Sequence, residues 1–136
     1  MYSLYLDTSQ KINIGLYKKD SGWLEYLILD TRNSSKDLHK EINLTLKGHG
    51  LEVRDLSRTI FCAGPGSYTG IRVSEGIAQV FEMHDMLVNS FPVYDIPSIF
   101  GVESGLWVAM AYKSEYFCFS WEKGCLLYTS DAADES

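Results

Sequence analysis

A glycine-rich segment near the middle of the chain, Gly64-Pro-Gly-Ser-Tyr-Thr-Gly70, has the composition and position of an anion-binding loop. It lies between an apolar run and a helical pattern, so its backbone N–H groups and the start of the helix could face a phosphate. It contains no lysine and is therefore not the phosphate loop of nucleoside triphosphatases. The alternative is a strand-to-helix turn in which glycine adopts unusual backbone angles and a hydroxyl caps the helix. Both interpretations use the same residues: Gly64, Gly66, Ser67, Thr69 and Gly70.

The segment Asp7-Thr8-Ser9 follows the first apolar run and allows the same two interpretations. A carboxylate after the first strand of an actin-like nucleotide site can hold magnesium-bound water. Short polar residues at the end of a strand are also ordinary turn formers. Asp7 and Thr8 are therefore candidates for a phosphate site, with a structural turn as the alternative.

The residue types that perform most catalysis are scattered along this sequence. Three isolated histidines are present: His39, His49 and His84. His39 is followed four residues later by Asn43 and not by a second histidine, so no metal-binding pair lies on one helical face. Ser67 directly follows Gly66 and lacks the G-x-S-x-G frame of a nucleophile elbow. The three cysteines have no C-x-x-C spacing: Cys62, Cys118 and Cys125. We therefore predict neither a catalytic residue nor a metal site.

The elements that position these loops predict an α/β domain. Apolar and polar residues alternate with a period of two, between turn formers, in residues 2–7, 12–16 and 23–29. Helical spacing of apolar residues predicts helices over Ser34–Lys47 and Thr69–Met83, separated by an apolar strand at 59–63. Further strands are predicted at 86–93, 106–112 and 116–121. The order predicts a mixed five-stranded sheet with helices on its faces, which resembles the ribonuclease-H-like core of actin, Hsp70 and sugar kinases.

Composition and charge narrow the function classes. The 136 residues are 46% apolar and carry a formal net charge of −6, so the lysine and arginine surplus that phosphate-backbone binding requires is missing. Any contact with RNA is expected to run through a partner. The tryptophans are interpreted as core or sheet-surface residues and not as a stacking platform: Trp23, Trp107 and Trp121. No run is long and apolar enough for a membrane span, so we expect a cytoplasmic protein.

The last twelve residues differ in character from the rest of the chain. Residues 125–136 resemble the translation of a sequencing adapter, and the alternative is an ordinary polar terminus. We predict three segments on this basis. Residues 1–100 form an N-terminal actin-like domain, 101–124 begin a second domain that is truncated, and 125–136 are a non-native tail.

Several motifs together resemble the TsaB (YeaZ) family, which takes part in synthesis of the tRNA base N6-threonylcarbamoyladenosine. They are Asp7-Thr-Ser, the strand Ile12–Leu16, the helix start Ser35-Lys-Asp-Leu-His39, and Ala63-Gly-Pro-Gly-Ser-Tyr-Thr-Gly-Ile-Arg72. The resemblance extends from Tyr2 to about Trp121. It covers the N-terminal domain of such a protein and the start of its second domain.

The resemblance implies a non-catalytic subunit that supports TsaD, the enzyme that transfers the threonylcarbamoyl group to A37 of tRNA. It implies a TsaD-type catalytic subunit and a TsaE-type ATPase as partners, with self-pairing as a homodimer, tRNA contacted only through the complex, and no membrane. ATP and a metal ion are expected in the partner complex, with no cofactor bound by this chain alone. The alternative is a small actin-like nucleotide-binding enzyme of the kinase or ATPase type.

By resemblance, the two helices of the N-terminal domain carry the partner interface. The small residues of the second helix allow another helix to approach closely, which favours the same face on physical grounds. We predict that the following residues contribute to it: Leu38, Ile42, Ile71, Ser74 and Ala78. The alternative is that these side chains are buried against their own sheet, because periodicity alone does not say which stripe faces inward.

Overall fold

The first unit of the chain, Met1–Phe91, is built on a five-stranded sheet. The computed structural model describes residues 1–30, 34–111, 113–123 and 125–133. The strands of this unit are β1 (Tyr2–Asp7), β2 (Ile12–Lys18), β3 (Gly22–Leu29), β4 (Leu56–Cys62) and β5 (Leu87–Phe91). Their order across the sheet is β3-β2-β1-β4-β5, so the predicted mixed sheet is confirmed.

Strand direction follows from the connections between the strands. Short turns join β1, β2 and β3, which pair antiparallel. The β1–β4 and β4–β5 pairs are parallel, which requires a crossover connection. Strand β5 ends at Phe91 because the next residue, Pro92, has no N–H group to donate to the ladder.

Two helices supply these crossovers, α1 (Ser34–Gly48) and α2 (Tyr68–Glu82). Both lie within one residue of the predicted bounds. Asp37 in the first turn of α1 and Lys47 in its last turn complement the helix dipole. Helix α2 starts at the N-cap Ser67, whose hydroxyl oxygen accepts a hydrogen bond from the Gly70 N–H at 3.2 Å.

The core of this unit lies between one face of the sheet and the two helices. Alternate residues of β1 and β2 point into it, as the period of two predicts. Its fully buried members are Leu4, Leu6, Ile14, Leu16, Leu38 and Leu46. Leu38, Ile42 (3% exposed) and Leu46 recur every four residues, which places them on one face of α1.

The second unit, Pro92–Ser136, contains a short helix α3 (Ile96–Ile99) and a three-stranded antiparallel sheet. Its strands are β6 (Ser104–Met110), β7 (Glu115–Glu122) and β8 (Cys125–Ala133). The buried Trp121 holds the start of this sheet, because its indole N–H donates to the Val102 carbonyl at 3.0 Å. The Trp121 ring also covers Gly105, where a Cβ atom would come within 2.8 Å of it.

The division of the chain into units differs from the predicted domain boundary. The boundary lies after Phe91, nine residues before the predicted one, because the helical turn that begins at Val93 belongs to the second unit. Residues 125–133, predicted to be part of a non-native tail, pair with β7 as strand β8. The adapter-like origin of these residues stays a prediction. In the described ranges, no helix has the length and apolar character needed to cross a membrane.

The contact between sheet and helices is expected to dominate the stability of the first unit. Replacing the fully buried Leu4 by alanine should lower its free energy of unfolding by about 2–5 kcal/mol, because it leaves a cavity under the helices. Replacing Leu44, which is 53% exposed on α1, should change it by less than about 0.5 kcal/mol. Urea denaturation followed by circular dichroism measures both. Equal effects would contradict this assignment of the core.

Candidate functional site

The two predicted loops meet at one edge of the sheet. Strands β1 and β4 are parallel neighbours, with Leu6 opposite Phe61, so their carboxyl ends lie side by side. The loop after β1, Asp7-Thr8-Ser9, therefore contacts the glycine-rich loop after β4. The structure thus brings all seven predicted phosphate-loop residues into one region.

Hydrogen bonds join these two loops to each other. The Thr8 hydroxyl donates to the Gly70 carbonyl at 2.7 Å, and the Ser67 N–H donates to the Ser9 carbonyl at 2.5 Å. Thr8 and Ser9 are both buried. Gly64 donates its N–H to the Cys62 sulfur at 3.4 Å, and Gly70 donates to the Ser67 hydroxyl. Three of the loop's backbone donors are therefore satisfied within the protein.

Glycine is required in this loop because the backbones are in direct contact. A Cβ atom on Gly66 would overlap the carbonyl oxygen of Ser9, and one on Gly70 would overlap that of Thr8. Gly64 has a φ of +87°, which other residues rarely adopt. These demands explain the pattern of glycines without a ligand.

Asp7 acts as a turn residue in this structure. Its Oδ1 atom accepts hydrogen bonds from the Ser9 N–H at 2.9 Å and from the Ser9 hydroxyl at 2.6 Å. Burial, and then the nearby Asp7 carboxylate, raise the pKa of Tyr5 far above its ordinary value. Burial also raises the pKa of the Cys62 thiol, which disfavours the reactive thiolate.

The hydrogen bonds between the two loops match a structural turn. That the loops also hold a phosphate or a magnesium ion stays a prediction. A phosphate-binding loop directs its N–H groups outward to the anion, whereas the Ser67 and Gly70 donors here point to protein oxygens. The interpretation as a structural turn is therefore the one that the geometry supports. No group of three or more metal-ligating side chains occurs within the described residues.

The isolated histidines are spread over the first unit. His39 is exposed on α1, and His84 Nδ1 lies 2.8 Å from the Val80 carbonyl. His49 Nε2 lies 2.9 Å from a Glu25 carboxylate oxygen, which links the chain after α1 to β3. None of these contacts brings two histidines together.

The structure changes the set of residues available for a helical interface. Leu38, Ile42, Ser74 and Ala78 are buried within the first unit, each with at most 5% of its surface exposed. Ile71 packs against Gly64, where a Cβ atom would lie 2.5 Å from its Cδ1 atom. These side chains therefore match the alternative, burial within their own domain. That α1 and α2 form an interface stays a prediction.

A groove between α1 and α2 offers other side chains for such an interface. Its volume is about 520 Å³, and buried Ile42 and Phe81 belong to its lining. Its remaining lining residues are His39, Asn43, Val53, Arg72, Val73, Gly76, Ile77 and Val80. The period of the Val73, Ile77 and Val80 stripe is visible in the sequence. The rotation of α2 against the sheet decides which residues face the groove. It places this stripe at the groove and turns Ser74 and Ala78 inward.

The interlocked loops predict a strong asymmetry among glycine substitutions. Gly70→Ala should lower the free energy of unfolding by about 1–3 kcal/mol, because its methyl group overlaps the Thr8 carbonyl. Gly48→Ala, at the end of α1, has no atom within 4 Å of its Cβ position and should be neutral or stabilising by up to about 1 kcal/mol. Thermal unfolding compares the two, and similar midpoints would refute the loop contact.

The raised pKa of Tyr5 predicts a loss of stability in alkali. An unfolded tyrosine ionises near pH 10, whereas the pKa of folded Tyr5 is higher, so the unfolded state releases its proton first. Stability should therefore fall as the pH rises above about 10. Tyr5→Phe should lose less thermal stability between about pH 9 and about pH 11 than the parent chain. Tyr68→Phe, at a residue that is 75% exposed, should behave like the parent, and an identical response of all three would count against the linkage.

Comparison of the sequence with known proteins identifies one relevant curated relative. TsaB of Bacillus subtilis (strain 168), a tRNA threonylcarbamoyladenosine biosynthesis protein, is 31% identical over 80 residues. The match covers 58% of this chain and 35% of that protein, so the chain spans about a third of the relative's length. No family model matches the chain.

Solved structures with the same fold include two from Pseudomonas aeruginosa. YeaZ superimposes with a TM-score of 0.66 and 20% identity over 96% of this chain and 66% of that chain. A second protein, described as similar to peptidase YeaZ, has a TM-score of 0.70 and 19% identity over 98% of this chain and 67% of that chain. The predicted actin-like fold is confirmed. The chain is therefore similar in sequence to a TsaB protein, as its motifs predicted, and it has the fold of YeaZ.

Proposed function

We propose that this chain is a non-catalytic partner subunit in N6-threonylcarbamoyladenosine modification of tRNA, and that it docks a TsaD-type enzyme through the groove between α1 and α2. One observation carries the proposal. The groove is open and largely apolar, whereas the loop that would hold a phosphate in a nucleotide-binding enzyme uses its donors internally. The similarity to Bacillus subtilis TsaB supports the pathway.

The shape of the groove suits an incoming helix. Gly76 lies in its lining with no atom within 4 Å of its Cβ position, so another backbone can come close to α2 at that point. Val80 beside it is 52% exposed. Exposed apolar side chains next to a glycine are typical of surfaces that another protein covers. Gly76 also weakens α2 by about 1 kcal/mol relative to alanine, and a docking requirement explains why it is tolerated.

The groove has a polar border at the start of α2. The Arg72 guanidinium lies 5.5 Å from the centre of the Tyr68 ring, in a cation–π contact that limits the motion of both side chains. Tyr68 is 75% exposed. Arginine and tyrosine dominate the binding energy of many protein interfaces, so these two residues are proposed as anchors.

The other members of the complex are proposed from the family resemblance. A TsaE-type ATPase would join the TsaD-type subunit, with ATP and a metal ion bound in the complex rather than by this chain. The tRNA would be contacted by the assembled complex, because the net charge of −6 does not favour broad binding to nucleic acid. Self-pairing through the same groove would compete with the catalytic partner.

The groove proposal is tested by filling the groove without disturbing the fold. Gly76→Gln adds a long side chain where space is open and improves helix propensity, so the domain should fold. Its affinity for the TsaD-type subunit of the same genome should fall by about tenfold or more. Gly48→Gln, also in open space but outside the groove, is the matched control and should bind normally. Isothermal titration calorimetry measures both, and equal affinities would refute the proposed docking surface.

A further inference from the structure

The face of the first sheet opposite the core carries a cluster of aromatic rings around Tyr5. The Tyr5 ring lies 6.2 Å from the rings of both Trp23 and Tyr26 and stacks on Phe91 at 6.3 Å. Tyr17 lies edge-on to Trp23 at 5.4 Å. These residues come from four strands, so the strand register brings them together.

Gly15 determines how the Trp23 ring lies on this surface. A Cβ atom at residue 15 would overlap that ring, and it would lie 3.1 Å from the Tyr26 ring. The tryptophan therefore lies flat across β2 where the strand has no side chain. Since 54% of Trp23 stays exposed, a large apolar ring surface is held in place and open to solvent.

A cavity of about 590 Å³ lies on this cluster. This volume is within the usual range of small-molecule sites, which is roughly 300–1,000 Å³. Four of the rings belong to its lining, with apolar neighbours from β1 and β4, and its charged lining residues are Lys19 and Arg58. No carboxylate lines it, and Asp7 lies two residues beyond Tyr5 on the same strand.

Arg58 is one of the two charged residues that line this cavity. Its Nε atom is buried and has no hydrogen-bond partner among the described residues. Its neighbours across the sheet are Ser3 and Leu87, neither of which carries a negative charge. Lys19 also forms no ion pair within the ranges that the structure describes. Arg58 and Lys19 therefore give the cavity two cations, and no carboxylate lines it, so the cavity is suited to an anionic ligand that accepts hydrogen bonds.

We propose that this cavity binds a small planar aromatic or heteroaromatic molecule that carries a phosphate or a carboxylate. The ring packs against Trp23 and Tyr5, and the anion accepts hydrogen bonds from Arg58 with Lys19 at the rim. Arginine binds such anions through charge-assisted hydrogen bonds, which are stronger than neutral ones. The site is distinct from the groove between α1 and α2 and does not depend on its function.

Calorimetric titration of the full 136-residue chain with two matched pairs of probes tests the proposal. The pairs are AMP with adenosine, and phenyl phosphate with phenol, which differ in the anion. Both anionic probes should bind more tightly than their neutral counterparts. Preference for AMP over phenyl phosphate would assign a nucleotide, and the reverse preference would assign a simpler aromatic acid.

Substitutions separate the two parts of the site. Arg58→Gln should weaken AMP binding by roughly tenfold or more and leave adenosine unchanged. Arg54→Gln is the matched control, because Arg54 pairs with Glu52 at 2.8 Å outside the cavity, and it should bind like the parent. Trp23→Leu should weaken the binding of both probes in each pair.

Two results would overturn the proposal. One is equal affinity for the anionic and neutral probes in the parent chain. The other is absence of binding of all four probes at millimolar concentration. If Arg58→Gln does not fold by circular dichroism, Lys19→Gln at the exposed rim replaces it and should reduce anion affinity by several-fold.

Discussion

The contact between the loop after β1 and the loop after β4 constrains the rest of the first unit. Two backbones meet there without side chains between them, because Gly66 and Gly70 face the carbonyl groups of Ser9 and Thr8. The hydrogen bonds across this contact set where α2 begins, since Ser67 both caps that helix and donates to Ser9. The direction of α2, and therefore the groove beside it, depends on this junction.

The same contact decides which chemistry this edge of the sheet can perform. In an open α/β sheet, ligands bind beyond the carboxyl ends of the strands, which is where the two loops lie. Here the polar atoms of that edge bind one another, and Asp7 is used by Ser9. At this edge of the sheet, the hydrogen bonds between the two loops hold the structure together.

The two faces of the sheet show how alternation shapes the molecule. Residues such as Leu4 and Ile14 are buried under the helices, whereas their neighbours Tyr5 and Gly15 belong to the aromatic face. Residues 60–62 of β4 are apolar on both sides, as expected for a strand in the middle of a sheet. The helices of this unit therefore leave apolar surface uncovered on the aromatic face.

Local patterns in the sequence determined the element order, the mixed sheet and the helix bounds to within one residue, because periodicity and turn residues act over short distances. The Ala63–Arg72 motif also indicated the family. Rotation of α2 about its axis was not encoded locally, so the sequence left open whether Ser74 and Ala78 or Val73 and Val80 would face outward. Strand register likewise places Trp23, Tyr5 and Arg58 around one cavity. Such pairings depend on the packing of distant segments, and only the tertiary structure decided them.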